Sequence, residues 1–446
     1  MAGGSAHWSS RFAFVMASVG FAVGLGNIWR FPYITGENGG AAFVLIYLLC
    51  AYAIGVPCLI AELMIGRRGG SSAPKSVEVV ARESGRSPIW SWIGGMGVFT
   101  AFTISVVYAV VVGWVLKYLF SALSTGFAGV DAAAANQSFS NMLDDSSMML
   151  LWTVVGTLIT GGIIFAGVKD GIERAVTVMM PVMFVLLIGL GIYNAFTGGF
   201  MTTLEWLFTP DFSKVDGSVV LAAVGQAFFS LSIAMGGMMT YGSYLPKDFS
   251  IVGGAALIVF ADTMVALLAG FVVFPMVFHF GLDMSSGAGL IFQTLPVAFA
   301  QMPGGHVFSV FFFLMLAFAG ITSLVGLLES VTAWFDERFD VNRHLSVAAV
   351  VLIVTVCSIA SVLSYNVWSE VRIAGMNFND IAEDLPGKVL LPLGGLMIAV
   401  FAGWRVLRTH SEDELNTNST AFVTWRALVR YLVVPAIAVI LVSGLI

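Results

Sequence analysis

The chain has 446 residues, 58% of them hydrophobic and only 10% charged, with a formal net charge of −6. Soluble domains carry about 25% charged residues, so this composition, with a mean hydropathy of +0.94, excludes an ordinary soluble domain. The net charge identifies no partner, and no nucleic-acid partner is expected. Cys50, Cys58 and Cys357 all fall in apolar segments, which implies neither a disulfide frame nor a metal cluster.

Apolar runs of 18 or more residues are candidate membrane helices. Eleven are expected, at about 11–34, 40–66, 90–122, 147–167, 174–196, 218–244, 250–281, 307–336, 345–364, 387–407 and 423–445. No stretch of soluble-domain length separates them, so residues 1–446 read as one all-α integral membrane domain. The first run does not read as a cleaved signal peptide: it is too long, it carries Asn27, Arg30 and Pro32, and no A-x-A site closes it.

Charge in the loops orients the chain. Arg67, Arg68, Lys75, Arg82 and Arg86 join segments 2 and 3, Lys169 and Arg174 join 4 and 5, and Lys247 joins 6 and 7. Arg338 and Arg343 join 8 and 9, and Arg405, Arg408 and Arg426 flank the link between 10 and 11. The alternate loops 123–146 and 282–306 hold no Lys or Arg. The positive-inside rule puts the N-terminus in the cytoplasm, and eleven crossings leave the C-terminus outside.

Two segments break the rules of a membrane helix. Segment 1 contains GFAVGLGNIWRFPY, with Gly20, Gly24 and Gly26 followed by Asn27 and Arg30. A helix-interior Gly costs about 1 kcal/mol relative to Ala, and a mid-bilayer Arg at least roughly 2.5 kcal/mol. Segment 6 contains GQAFFSLSIAMGGMMTYGSY, with Gln226, Ser230 and Ser232 ahead of Gly236-Gly237. Small residues also serve close helix packing, and Gly20-x-x-x-Gly24 taken alone is better explained that way. Segments 1 and 6 each lead a set of five, however, and five is odd, so the second set must run inverted. The repeats are expected at about 11–196 and 218–407, with an extra helix at 423–445. Interrupted helices at matching places in inverted halves point to a transporter's midplane binding site. Backbone leaves the helix inside a membrane only where protein or a water-filled cavity satisfies it.

WSSRFAFVMASVGFAVGLGNIWRFPY with ENGGAAFVLIY closely resembles the first two helices of the neurotransmitter:sodium symporter family. GQAFFSLS, TYGSY and FAGITS resemble its sixth and eighth helices, and the likeness runs over nearly the whole chain. Eleven helices, where animal members have twelve, resemble the prokaryotic branch. The resemblance implies the leucine-transporter fold, an inner-membrane location, and uptake of an amino acid driven by sodium. It implies no catalysis.

The resemblance also implies roles for matching residues. Sodium site 1 would use Ala22, Asn27, Ser230 and Asp262, completed by the substrate carboxylate. Sodium site 2 would use the carbonyls of Gly20, Val23 and Ala319 with the hydroxyls of Thr322 and Ser323. An isolated Thr-Ser pair is usually bonded back to its own helix, but hard oxygens are what a hard cation takes. Two Na⁺ ions are expected. Many members have Asn at the position of Asp262, and chloride-dependent ones have Ser four residues on, where this chain has Ala266. The remaining chloride-site residues, Tyr47, Gln226 and Ser230, are present, so the expectation is that Asp262 replaces chloride and that no chloride is required.

The substrate should contact Ala22, Gly24, Gly26, Ile104, Tyr108, Phe229, Ser230, Ser232, Met235 and Leu327. Monoamine carriers have Asp at the position of Gly24, so here the substrate brings its own carboxylate. The walls are largely apolar and aromatic, which suits a hydrophobic side chain. The outer gate would pair Arg30 with Glu383 or Asp384, Glu383 being preferred, and Phe229 would lid the site. Trp8, Ser243, Tyr244 and Glu337 match the cytoplasmic gate, while Ser5 stands where a basic residue is usual.

The function implied is sodium-coupled import of hydrophobic L-amino acids, with another small zwitterion as the alternative. A monomer suffices for such a mechanism, and membrane lipid is its other partner. A channel is the rival from another class, and the paired gates argue against it. An intramembrane enzyme would need a second acid facing Asp262, and none is evident.

Overall fold

A computed structural model describes residues 7–196, 198–282, 287, 289–373 and 375–443. Ser5 lies outside the described residues. The chain starts as α1 (Arg11–Ala22) and α2 (Gly26–Glu37), two halves of one span bent by 50°. Long apolar helices follow: α3 (Ala41–Gly69), α4 (Pro88–Ser124), α5 (Ser146–Phe165) and α6 (Val168–Ala195). The sixth expected span is two short helices, α7 (Gly217–Ser230) and α8 (Gly237–Ser243). Then come α9 (Ile251–Phe280), α10 (Gly305–Phe339), α11 (Arg343–Ser364), α12 (Phe378–Arg405) and α13 (Ser419–Val442).

Among the described residues, nine helices are long and apolar enough to span a membrane, and the bent α1–α2 pair makes ten. The expected span left outside that count is the sixth, which corresponds to α7 and α8. Neither half reaches the roughly 20 residues that a bilayer requires, because the six residues between them are not helical. The expected segment 10 also starts earlier than its apolar run: α12 opens at Phe378 with an Asn377–Asp380 capping box, which satisfies the first amides with polar residues.

Burial sorts the helices. The most apolar windows of α4 and α10 are each 78% buried, whereas those of α6 and α13 are 28% and 22% buried. So α4 and α10 form the interior, against which both broken helices rest, and α6 and α13 present most of their surface to lipid. Apolar side chains face outward there because lipid, not water, is the solvent.

Candidate substrate and ion site

Each break frees backbone groups, and several of them meet side chains from neighbouring helices. In the first break the Gly24 amide donates to Asn27 Oδ1 at 3.1 Å and the Leu25 amide to the Tyr108 hydroxyl at 3.1 Å. The Ser323 hydroxyl of α10 donates to the carbonyls of Gly20 at 3.2 Å and Val23 at 3.3 Å. In the second break Ser232, Ala234 and Gly236 have φ of 52°, 66° and 71°, the left-handed region. That geometry turns the Ala234 amide onto Glu62 Oε1 of α3 at 2.7 Å and the Met235 carbonyl toward Ser330, which donates at 3.2 Å. Glu62 is fully buried, and its other oxygen has no partner among the described residues.

Asn27, Ser230 and Asp262, from three different helices, meet in one buried cluster. The Asn27 amide donates to Asp262 Oδ1 at 2.8 Å and to Ser230 Oγ at 2.9 Å, and Ser230 donates to Asp262 Oδ2 at 2.7 Å. The Tyr47 hydroxyl donates to the same Oδ2 at 3.4 Å. Gln226 is placed elsewhere: it donates to the Gly26 carbonyl at 3.1 Å and accepts from Arg30 at 2.5 Å. Ala266 is fully buried on α9, one turn from Asp262. No Lys or Arg pairs with Asp262 among the described residues, so its charge is open to a cation.

The positions expected for sodium site 2 also converge. Gly20 and Val23 carbonyls share the Ser323 hydroxyl, and a methyl group added at Gly20 would lie 3.2 Å from Thr322 Cβ. Thr322 itself donates back to the carbonyls of Phe318 at 2.8 Å and Ala319 at 3.2 Å.

Beside the Ser323 hydroxyl lies a small cavity of about 20 Å³. Ala22, Gly24, Gly26, Ile104, Tyr108, Phe229, Ser232, Met235 and Leu327 line it as expected, with Ser323 and Phe21 in addition. Ser230 does not line it and serves the Asp262 cluster instead. A Cβ at Gly24 would lie 2.5 Å from Ser323 Oγ and 2.8 Å from the Tyr108 hydroxyl, so a side chain there would displace one or both hydroxyls.

Phe229 separates this cavity from a wide vestibule of about 640 Å³, which reaches the exposed residues Glu37 and Lys388. Arg30 stands over the Phe229 ring at 5.0 Å and shares the vestibule wall with Glu383 and Asp384. Asp384 is occupied by Lys388 at 2.8 Å, while Glu383 accepts, among the described residues, from the neutral Asn379 amide at 2.9 Å. The other end of the bundle is packed shut. Trp8 donates its ring N–H to the Tyr241 carbonyl at 3.0 Å and lies edge-on to Tyr241 and Tyr244. Glu337 accepts from Ser72, and Ser243 bonds back to Thr240 at 2.7 Å. Sequence reasoning missed the acid that Tyr244 meets: its hydroxyl donates to buried Glu329 at 2.9 Å, and Arg343 closes on Glu329 at 2.6 Å. The signal was a glutamate inside an apolar run, two helical turns before Glu337.

The sequence pattern of the sodium:neurotransmitter symporter family matches residues 5–141 and 136–445. The chain belongs to that family. It is 35% identical to an uncharacterized sodium-dependent transporter, YhdH, of Bacillus subtilis, over 98% of this chain and 97% of that one. It is 33% identical to an uncharacterized sodium-dependent transporter of Haemophilus influenzae, over 98% of each. Its structure is similar to that of MhsT in complex with L-phenylalanine, with 40% identity, 99% of this chain and 100% of that one covered, and a TM-score of 0.92. The chain is therefore a multi-pass, sodium-dependent transporter with the leucine-transporter fold, not an enzyme.

Proposed function

We propose that the protein imports hydrophobic L-amino acids, aliphatic or aromatic, together with two sodium ions and without chloride. The observation that carries this reading is the lining of the small cavity. Unwound backbone and glycine form one wall, apolar and aromatic side chains form the other, and the Ser323 hydroxyl lies beside it. A zwitterion brings a carboxylate that freed amides and sodium attract, and its side chain goes to the apolar wall. Site 1 comprises Ala22, Asn27, Ser230 and Asp262, and site 2 comprises Gly20, Val23, Ala319, Thr322 and Ser323. Asp262 supplies the fixed negative charge that sodium ions in a low-dielectric site require.

Alternating access follows from the two ends. With the N-terminus in the cytoplasm of a prokaryotic cell, the vestibule faces outside and the Trp8 cluster is the closed inner gate. Residues 11–196 and 218–407 act as inverted repeats that rock about the site, and 423–445 is an added helix. One copy suffices for this cycle. The reading is tested by sodium-driven uptake into proteoliposomes, with the twenty amino acids competing against labelled L-leucine. Competition confined to Leu, Ile, Val, Met, Phe, Tyr and Trp supports it. The cavity of only about 20 Å³ favours the second reading, a small zwitterion, which predicts that Gly or Ala competes best.

A further inference from the structure

We infer that Gly237 and Gly326 form a seat for the Phe21 ring, and that this seat sets the depth of the substrate cavity and so the largest side chain it accepts. Phe21 is the penultimate residue of α1, lines the cavity, and is 1% exposed. A Cβ at Gly237 would lie 2.3 Å from its Cε1 and 2.5 Å from its Cζ. A Cβ at Gly326 would lie 2.1 Å from its Cδ2 and 2.5 Å from its Cγ. The ring thus fills the space that a side chain at either position would need. Neither glycine has a positive φ, so backbone conformation does not demand them. Gly237 opens α8 and Gly326 lies inside α10, where glycine is unfavourable, so their small size serves the packing of this ring.

Displacement of the ring is restricted by its neighbours. Tyr241 stands edge-on to the ring at 5.8 Å, itself 1% exposed and backed by Trp8 at 5.3 Å. The Phe21 carbonyl is held by the Ser232 hydroxyl at 3.1 Å, so the backbone is pinned to the second break. A methyl at either glycine would therefore force the ring to shift, and because Phe21 lines the cavity the shift reshapes it. In a space this small, one carbon atom decides which side chains enter. Gly237 and Gly326 are positioning residues that act through Phe21.

This inference rests on the reading that the cavity takes hydrophobic amino acids. The test uses full-length protein in proteoliposomes with labelled L-leucine as the transported probe. Half-inhibition by L-tryptophan and by L-valine is measured for wild type, Gly326→Ala, Gly237→Ala and Phe21→Leu, with sodium half-saturation alongside. Either added methyl should shift the Trp-to-Val ratio against Trp by roughly tenfold or more, the usual effect of one carbon in an apolar pocket, with sodium half-saturation unchanged. Phe21→Leu should shift the ratio the other way, and combined with Gly326→Ala it should restore the wild-type ratio. An unchanged ratio, an equal loss for both competitors, or a failure of Phe21→Leu to rescue overturns the seat. If Gly326→Ala does not fold, Gly237→Ala and Phe21→Leu decide by the same ratio. Wild type that takes up no leucine overturns the substrate reading and this inference with it. Leucine uptake with an unmoved ratio overturns the seat alone.

Discussion

The Ser230 hydroxyl donates to the Asp262 carboxylate at 2.7 Å, joining the helix before the second break to α9 at a fully buried acid. Every side chain that reaches Asp262 among the described residues is a neutral donor: Ser230, Asn27 and Tyr47. A carboxylate so placed has no basic partner among the described residues, which leaves a place for a cation to supply the opposing charge.

Replacing chloride with gluconate should leave wild-type uptake unaltered, since Asp262 carries the negative charge itself. Asp262→Asn with Ala266→Ser should make uptake chloride-dependent, with the Tyr47 and Ser230 donors turned to the mobile anion. Uptake by each protein in the two salts checks both statements. Loss of wild-type transport in gluconate would refute the assignment.

Ser323→Ala should weaken sodium more than Thr322→Ala. Ser323 reaches across to the Gly20 and Val23 carbonyls, whereas Thr322 is bonded within its own helix. A contact to a charged group contributes about 1.5–3 kcal/mol, so the sodium half-saturation of Ser323→Ala should rise roughly tenfold or more. Thr322→Ala should add a smaller rise, and the double variant the largest. Sodium titration of uptake at fixed substrate reads all three, and unchanged sodium dependence in the double variant would remove the site from these residues.

At the vestibule, Glu383→Gln should slow uptake severalfold, because Glu383 shares the wall with Arg30 and has no ion pair among the described residues. Asp384→Asn should stay within about twofold of wild type, since an exposed pair one helical turn apart, such as Asp384–Lys388, contributes about 0.3–0.5 kcal/mol. Initial uptake rates at saturating sodium distinguish them, and the reverse order would assign the gate to Asp384.

On the side of the Trp8 cluster, Arg67 and Glu414 form an ion pair with side chains 2% and 1% exposed, Nε to Oε1 at 2.6 Å. Arg67 also donates to the Phe249 carbonyl at 2.6 Å, and Lys247 meets the other Glu414 oxygen at 2.7 Å. Glu414→Gln leaves a buried guanidinium uncompensated, and loss of one partner from such a pair costs about 3–5 kcal/mol. Thermal unfolding of the purified protein should show a marked drop in midpoint. Arg67→Met with Glu414→Leu should recover most of it; a double variant as unstable as the single one would mean the pair itself, not the stranded charge, sets the stability.

Much of this was legible in residue order alone. Apolar run length located the spans because lipid demands some 20 residues per crossing, whatever lies beside them. Gly24, Asn27 and Arg30 announced the first break, since each is unfavourable in a lone membrane helix. The second break was placed less well. Its glycines, Gly236 and Gly237, mark only its end, and two of its three left-handed residues are Ser232 and Ala234, which favour no such conformation by themselves. They hold it because Glu62, from α3, accepts the turned amide.

Sequence by itself determined the membrane class, the number of apolar runs, the kinship, and which residue types face the site. Those features depend on local chemistry: hydropathy, backbone cost, and motifs whose residues are near neighbours in the chain. Tertiary structure alone decided which groups meet. Gln226 turns to Arg30 instead of Asp262, Tyr244 finds Glu329 and Arg343, and Phe21 nests against Gly237 and Gly326. These partners lie tens to hundreds of residues apart, and in a close-packed interior contacts between them are set by how helices cross, which no local pattern encodes.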